Sequence, residues 1–375
     1  MINFPIIMGI TSGAAFLLGF LLIAHPRKVN IVANRFLGLF IITVGFAMLE
    51  IPLFYKNFHL SYPNFFEMIG LSRFLSAPFL YISILYFTSI CKKIKPKNLW
   101  HFLPFILFFI FRIPFFVTGK NIEFDEEERK IVFFILRTAL PLQVLIYWIL
   151  SFATLQKHLK NIKQFSSSIE KNDLLWLKYF LLILLVIVFA WFNLIFFGLR
   201  NLIDFTPFLY LASVFFLAYF SLQQKEIFDF SPSELKELSS VNKYKKENSK
   251  RVSDIRMTEL NGKLKTLMQS EKIYLENDLS LPKLAIKLEA TSNETSFLIN
   301  ELYQDNFYNF INKHRIEEAK ILLLSEKYSQ LNILGIAYES GFNSKTTFNT
   351  TFKKHVGLSP TEYVKSNISL IKKEA

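Results

Sequence analysis

The sequence predicts an all-helical protein in two parts. A seven-span transmembrane helical bundle over residues 1–222 is followed by an all-helical double helix-turn-helix unit over residues 271–368. Three observations carry this. The 375-residue chain is 52% hydrophobic with 43 Phe, too apolar for an ordinary soluble protein. Seven apolar stretches approach the ~20 residues that cross a hydrocarbon core. In the last hundred residues, apolar positions instead recur at helical spacing between polar ones, interrupted at Gly341.

The predicted spans are Phe4–Ala24, Phe36–Phe54, Met68–Ile90, Leu99–Val117, Ile131–Leu155, Leu174–Phe197 and Pro207–Leu222. The first lacks a basic leading region and a small-residue cleavage site, so it reads as a retained span rather than a cleaved signal. Gly13, Gly19, Pro78, Pro104, Pro114 and Pro141 within spans mark close packing or kinks.

Basic residues set the direction. The loops after spans 1, 3 and 5 carry Arg27, Lys28 and Arg35; Lys92, Lys93, Lys95 and Lys97; and Lys157, Lys160, Lys163 and Lys171. The loops after spans 2, 4 and 6 carry Lys56; Lys120, Arg129 and Lys130; and Arg200. The fourth loop is also acidic, with Asp125–Glu128. The expected topology has the N-terminus outside and the C-terminal part in the cytoplasm of a cytoplasmic (inner) membrane. Residues 1–222 hold 20 Lys+Arg and 10 Asp+Glu, against 23 and 20 in residues 223–375. The formal +13 therefore comes mostly from the membrane half and is not a nucleic-acid signature.

Residues 223–270 form a juxtamembrane linker. Lys243, Lys245, Lys246, Lys250 and Arg251 suit an anionic lipid surface better than direct nucleic-acid contact. Met257, Leu260, Leu264 and Leu267 then fall at helical spacing and predict a helix leading into the C-terminal unit.

The second repeat of that unit is the sharper one. Ile333, Ile336 and Ala337 share one helix face, Gly341 supplies a left-handed turn, and Asn343 or Ser344 caps a second helix. Phe348 and Phe352 line its inner face. In the first repeat Thr291 and Glu294 make a T-x-x-E capping box, and Leu298 and Leu302 are expected inward. A long amphipathic helix through Phe307, Phe310, Ile311, Ile316, Ala319, Leu322 and Leu323 links the repeats. Two helices joined by a tight turn is the geometry that sets the second in a DNA major groove. Residues 369–375 are left as a tail.

The run from Ile336-Ala337 through Gly341-Phe342, Phe348, Phe352-Lys353-Lys354, Gly357 and Ser359-Pro360 resembles the C-terminal DNA-binding domain of AraC-type (AraC/XylS) transcription regulators. The upstream elements Leu279-Ser280-Leu281, Leu284-Ala285, Leu288, Phe307, Phe310-Ile311-Asn312, Arg315-Ile316 and Ala319 fit the same pattern, so the resemblance covers roughly residues 271–368. Some bacterial regulators of this type carry a multi-span N-terminal domain. The resemblance implies base-edge contacts from the exposed face of each second helix: Asn293, Ser296, Phe297 and Asn300 in the first repeat, and Ser344, Lys345, Thr346, Asn349 and Thr350 in the second. Lys345 and Asn349 have the chemistry to read guanine and adenine edges, while Lys353 and Lys354 suit phosphates. Arg315 matches a family position on the connecting helix, open to either a bracing role or a phosphate contact. Thr295 departs from the family, which has an apolar residue there, and Glu294 sets an anion near the groove.

Ionisable residues within spans are costly and tend to be functional. Glu50, Arg73, Arg112 and Arg137 all fall in the outer half of their spans under the predicted topology. They are read either as snorkelling side chains or as a shared site for a small anionic or zwitterionic signal. Catalytic residues, metal ligands and cofactors are not expected: there is no nucleophile–base pair, no phosphate loop and no ligand spacing among the six His, and the single Cys91 excludes an internal disulfide. The reading is a membrane-anchored transcription regulator whose partners are double-stranded DNA, the lipid bilayer, a small-molecule signal and RNA polymerase. The alternatives are a membrane–DNA tether without signal input, and a transporter or membrane enzyme with a fused regulatory domain.

Overall fold

The computed structural model describes residues 4–24, 28–89, 94–120, 122–167, 174–198, 203–224, 253–325 and 331–374. The basic cluster Lys243–Arg251, Cys91 and the side chain of Arg137 lie outside the described residues. Every regular element described is helical, apart from an isolated antiparallel bridge between Ser166 and Ser280. Two units emerge: residues 1–157 with 174–226, and residues 158–173 with 227–375.

In the first unit seven helices are long and apolar enough to cross a membrane. They are α1 (Phe4–Ala24), α2 (Ile31–Tyr55), α4 (Pro63–Phe87), a 3-10 turn Pro96–Phe102 running into α5 (Leu103–Thr118), α6 (Glu126–Asn161), α7 (Leu175–Phe192) and α8 (Thr206–Gln223). A one-turn helix, α3 (Phe58–Ser61), joins α2 to α4. Each predicted span overlaps one of these helices. Two differ in a way that sequence periodicity could not give: the sixth span ends as a single π-helical turn, Asn193–Phe197, and α6 continues well past Leu155. At 1.5 Å per residue its 36 residues reach about 54 Å, against a hydrocarbon core of about 30 Å.

Small residues let α1 and α2 cross closely. A methyl group on Gly38 would lie 2.8 Å from the Gly19 carbonyl oxygen, and one on Gly19 would lie 2.6 Å from Ile42. Polar side chains tie other helices together through main-chain carbonyls. Ser83 Oγ donates to Ala33 O, Gln143 Nε2 to Phe74 O, and Trp148 Nε1 to Leu181 O.

The second unit contains α9 (Asp254–Gln269), α10 (Leu281–Lys287), α11 (Ser292–Tyr303), α12 (Phe307–Leu324), α13 (Ile333–Glu339), α14 (Lys345–Val356) and α15 (Pro360–Glu374). The expected α9 is present, and Met257, Leu260, Leu264 and Leu267 are buried in the same cluster as Leu284, Leu298 and Phe310, so α9 is part of this core rather than only a lead into it. α12 serves two cores. Phe307, Phe310 and Ile311 enter the first cluster; Ile316, Ala319 and Leu322 enter a second with Ile336, Ala337, Phe342, Phe348 and Phe352.

One expectation needs correction. Leu302 is 48% exposed and Ile299 takes the inward position beside Leu298, because the buried stripe of α11 follows an i,i+1 rather than an i,i+4 pairing at that point. Beyond residue 368, α15 continues to Glu374.

Candidate nucleic-acid interface

Each helix-turn-helix unit is built by capping and by one residue with a left-handed backbone. In the first, Glu289 adopts φ 52° between α10 and α11. Thr291 then caps α11: its side chain accepts from Glu294 N–H while the Glu294 carboxylate accepts from Thr291 N–H at 2.8 Å, completing the predicted box. Burial works to raise the Glu294 carboxyl, but the Thr291 hydrogen bonds and Arg256, 3.6 Å away, bring it below its usual value. The anion expected to disturb the groove is therefore held as a cap and paired with a cation. Thr295, the departure from the family pattern, is fully buried and its hydroxyl donates to Thr291 O at 3.0 Å. It fills an apolar position with its hydrogen bond satisfied locally. Of the predicted contact residues, Asn300 is exposed, Asn293 and Ser296 are half-buried, and half-buried Phe297 packs against the first core.

In the second unit Gly341 has φ 86°, and a methyl group there would lie 2.7 Å from Tyr274 O and 3.0 Å from Arg315 Nε. Both backbone angle and space therefore require glycine. Ser344 is the cap of α14, its side chain accepting from Thr347 N–H, whereas Asn343 donates to Asn277 O at 2.8 Å. The two cap candidates left open by sequence thus separate: one caps, the other ties the turn to an upstream loop. Phe348 and Phe352 are fully buried. The opposite face presents Lys345, Thr346, Thr350, Lys353 and Lys354 exposed, with Asn349 half-buried and its Oδ1 lacking a hydrogen-bond partner. Lys353, Lys354 and His355 occupy the last turn, where cations also oppose the helix dipole.

Arg315 is not at this surface. It is 1% exposed, so a phosphate contact is ruled out for it and the bracing role is the one the structure has. Its Nε donates to Tyr274 O and one Nη to Glu276 O, both at 2.7 Å, while its guanidinium lies 5.8 Å from the Phe342 ring centre. Burial pulls its pKa down to about 10, which still leaves it cationic at neutral pH.

In the first unit Glu50, Arg73 and Arg112 do not form one site, and the side chain of Arg137 lies outside the described residues. Arg73 pairs with Glu50, and Arg112 with Glu67 at 2.6 Å, so neither cation lacks a counter-charge. Glu67 was not among the residues read from sequence: it sits just before the predicted third span and 45 positions from its partner. A cavity of about 240 Å³ lies beside Arg73, walled by Met48, Val144, Phe192, Trp191 and Tyr210 among others. Arg73 Nε is buried without a hydrogen-bond partner. Glu50 and Arg112 do not line this cavity.

Residues 284–366 match the helix-turn-helix domain family of AraC type, so this part of the chain is an AraC-type helix-turn-helix domain. A stretch of 92 residues, 24% of the chain, is 32% identical to an uncharacterised HTH-type transcriptional regulator of Staphylococcus aureus (strain COL). That stretch spans only 12% of the relative's length. No solved structure matches the chain.

Proposed function

With an AraC-type helix-turn-helix domain following seven apolar helices, we propose that the chain is a membrane-anchored, sequence-specific, DNA-binding transcription regulator rather than an enzyme. The observation that carries this reading is α14: its phenylalanines are buried while Lys345, Thr346, Thr350 and Lys353 stand exposed, the division a helix needs in order to enter a major groove. Asn293, Ser296 and Asn300 on α11 supply the second reading surface, and Lys353 and Lys354 meet phosphates. The membrane is the cytoplasmic one, with the N-terminus outside, a topology supported by the excess of Lys and Arg in the loops after spans 1, 3 and 5.

The membrane unit receives a signal. Because Glu50 neutralises Arg73, the cavity beside Arg73 calls for a largely apolar molecule rather than for a compact anion. Preferential binding to one packing of the bundle shifts the equilibrium between two states of the chain. The topology is tested by fusing a reporter active only outside the cytoplasm. It is expected to be active in the Asp125–Glu128 loop and silent after Leu222; activity at the second position contradicts a regulator that reaches chromosomal DNA.

A further inference from the structure

Residues 158–167, the last turn of α6 and the segment that follows it before the sixth span, belong to the DNA-binding unit. They are held there by main-chain recognition. Ser167 N–H donates to Leu279 O at 3.3 Å and Leu281 N–H to Phe165 O at 2.9 Å, a two-bond antiparallel pairing across Ser166 and Ser280. The Ser167 carbonyl accepts from Asn312 Nδ2 at 3.2 Å and from Arg315 Nη1 at 3.3 Å. The Ser167 hydroxyl donates to Leu279 O at 2.6 Å and accepts from Arg315 Nη2 at 3.1 Å. Phe165 packs against the first core, and Ser167 is 1% exposed.

Arg315 makes this segment more than a surface contact. A guanidinium has five N–H donors and no acceptor, and burying it with donors unsatisfied is costly. Tyr274 O and Glu276 O take two of the contacts and Asn312 Oδ1, at 3.4 Å, a third; the two oxygens of Ser167 supply the rest. Both donors that grip Ser167, Asn312 and Arg315, stand on α12, the helix shared by the two cores. Leu279 and Leu281 flank the start of the first helix-turn-helix unit.

We propose that Phe165–Ser167 is a clasp that docks in a main-chain-reading groove of the DNA-binding unit, and that through it the cytoplasmic end of the fifth span acts on α12 and so on the relative setting of the two recognition helices. The occupant of the groove is this chain's own loop: the segment is one to three residues past the end of the α6 continuation at Ile162–Gln164, and its hydroxyl and carbonyl meet donors that would otherwise be buried unpaired. The clasp holds through hydrogen bonds and one aromatic side chain, so a displacement of α6 along its axis can load or release it.

Ser166 and Ser280 are opposed as a non-hydrogen-bonded antiparallel pair, a geometry in which α-carbons sit about 4.5 Å apart, within disulfide range. The test therefore uses full-length chain in native membranes, with Cys91→Ser to remove the native thiol. Ser166→Cys with Ser280→Cys is expected to form an intrachain crosslink on mild oxidation, well above a control pairing Ser166→Cys with Gln269→Cys. A yield equal to the control, or a band at dimer size, overturns the clasp. Adding Ser167→Pro removes the N–H that bonds Leu279 and bars the pairing; it should abolish the crosslink. The action on α12 rests on the DNA-binding reading and is measured separately, as affinity for DNA carrying a chromosomal site bound by the parent chain. Ser167→Pro should change that affinity at least about fivefold, the lower end of typical coupling between sites. Unchanged affinity with a lost crosslink overturns the coupling; absence of any bound site counts against the DNA-binding reading and leaves the docking result standing.

Discussion

Gly341→Ala should be far more damaging than Gly357→Ala, although both glycines have nearly the same backbone angle, φ 86° and 84°. A left-handed backbone costs an alanine about 1–2 kcal/mol at either position. At Gly357 nothing lies within 4 Å of the new methyl group, and stiffening the unfolded chain offsets part of that cost, leaving about 1 kcal/mol or less. At Gly341 the methyl group meets Tyr274 O at 2.7 Å and Leu275 Cα at 3.0 Å, both main-chain atoms that cannot swing aside. Overpacking adds about 1–3 kcal/mol. Displacing Tyr274 O also loosens its bond to the buried Arg315, a charged hydrogen bond of about 1.5–3 kcal/mol. Less the same unfolded-state offset, the total is at least about 2.5 kcal/mol, or roughly 70-fold in the folded-to-unfolded ratio, from a stability of about 5–15. Amide hydrogen exchange on full-length chain in nanodiscs reads this directly: protection in α12 and α13 should fall by about two orders of magnitude or more for Gly341→Ala and by less than one for Gly357→Ala. Equal losses would show that the contact between Gly341 and the Tyr274 loop does not hold the two cores together.

Asn349→Ala and Lys345→Ala should each cost about 1–3 kcal/mol at a specific site, whereas Lys354→Ala should weaken all sequences alike and lower the salt slope by about one; a titration against specific and random DNA at several salt concentrations separates them. Glu67→Gln leaves Arg112 without its carboxylate, a cost of about 2.5–3.5 kcal/mol on insertion scales, so the thermal midpoint of the solubilised chain should fall and then recover in Glu67→Gln/Arg112→Gln; a double variant as unstable as the single one refutes the pairing. His314 is held below its usual pKa of 6.5 by burial, with Lys313 adding to it. The unfolded chain then binds that proton more readily, so protection of α12 should be full above about pH 6.5 and decline as pH falls below it; His314→Gln should flatten the decline, and an unchanged slope refutes it.

The spans were legible because crossing a bilayer demands some twenty apolar residues in a row, a purely local signal. So were the turn at Gly341 and the cap at Thr291, where one residue type satisfies a local backbone requirement. Apart from the local burial pattern of α11 and the π-helical turn that ends the sixth span, the unreadable features are non-local. Glu67 and Arg112 lie 45 positions apart, and Ser167 and Arg315 lie 148 apart, so no periodicity links them. Arg315 shows the limit well: its position was recognisable, but only the three-dimensional packing shows a buried brace in place of a phosphate contact. Likewise, the choice between Asn343 and Ser344 as cap depended on Asn277, 66 residues upstream of Asn343.

In the function proposed above, one chain both resides in the membrane and reads DNA through α14. Mapping chromosomal sites crosslinked to the full-length chain in cells, beside an Asn349→Ala/Lys345→Ala variant at equal abundance in the membrane fraction, tests it most directly. The parent chain should enrich a discrete set of sites, and the variant should lose them. A parent chain that sediments with membranes and enriches no site, or a variant that recovers the same sites, contradicts it.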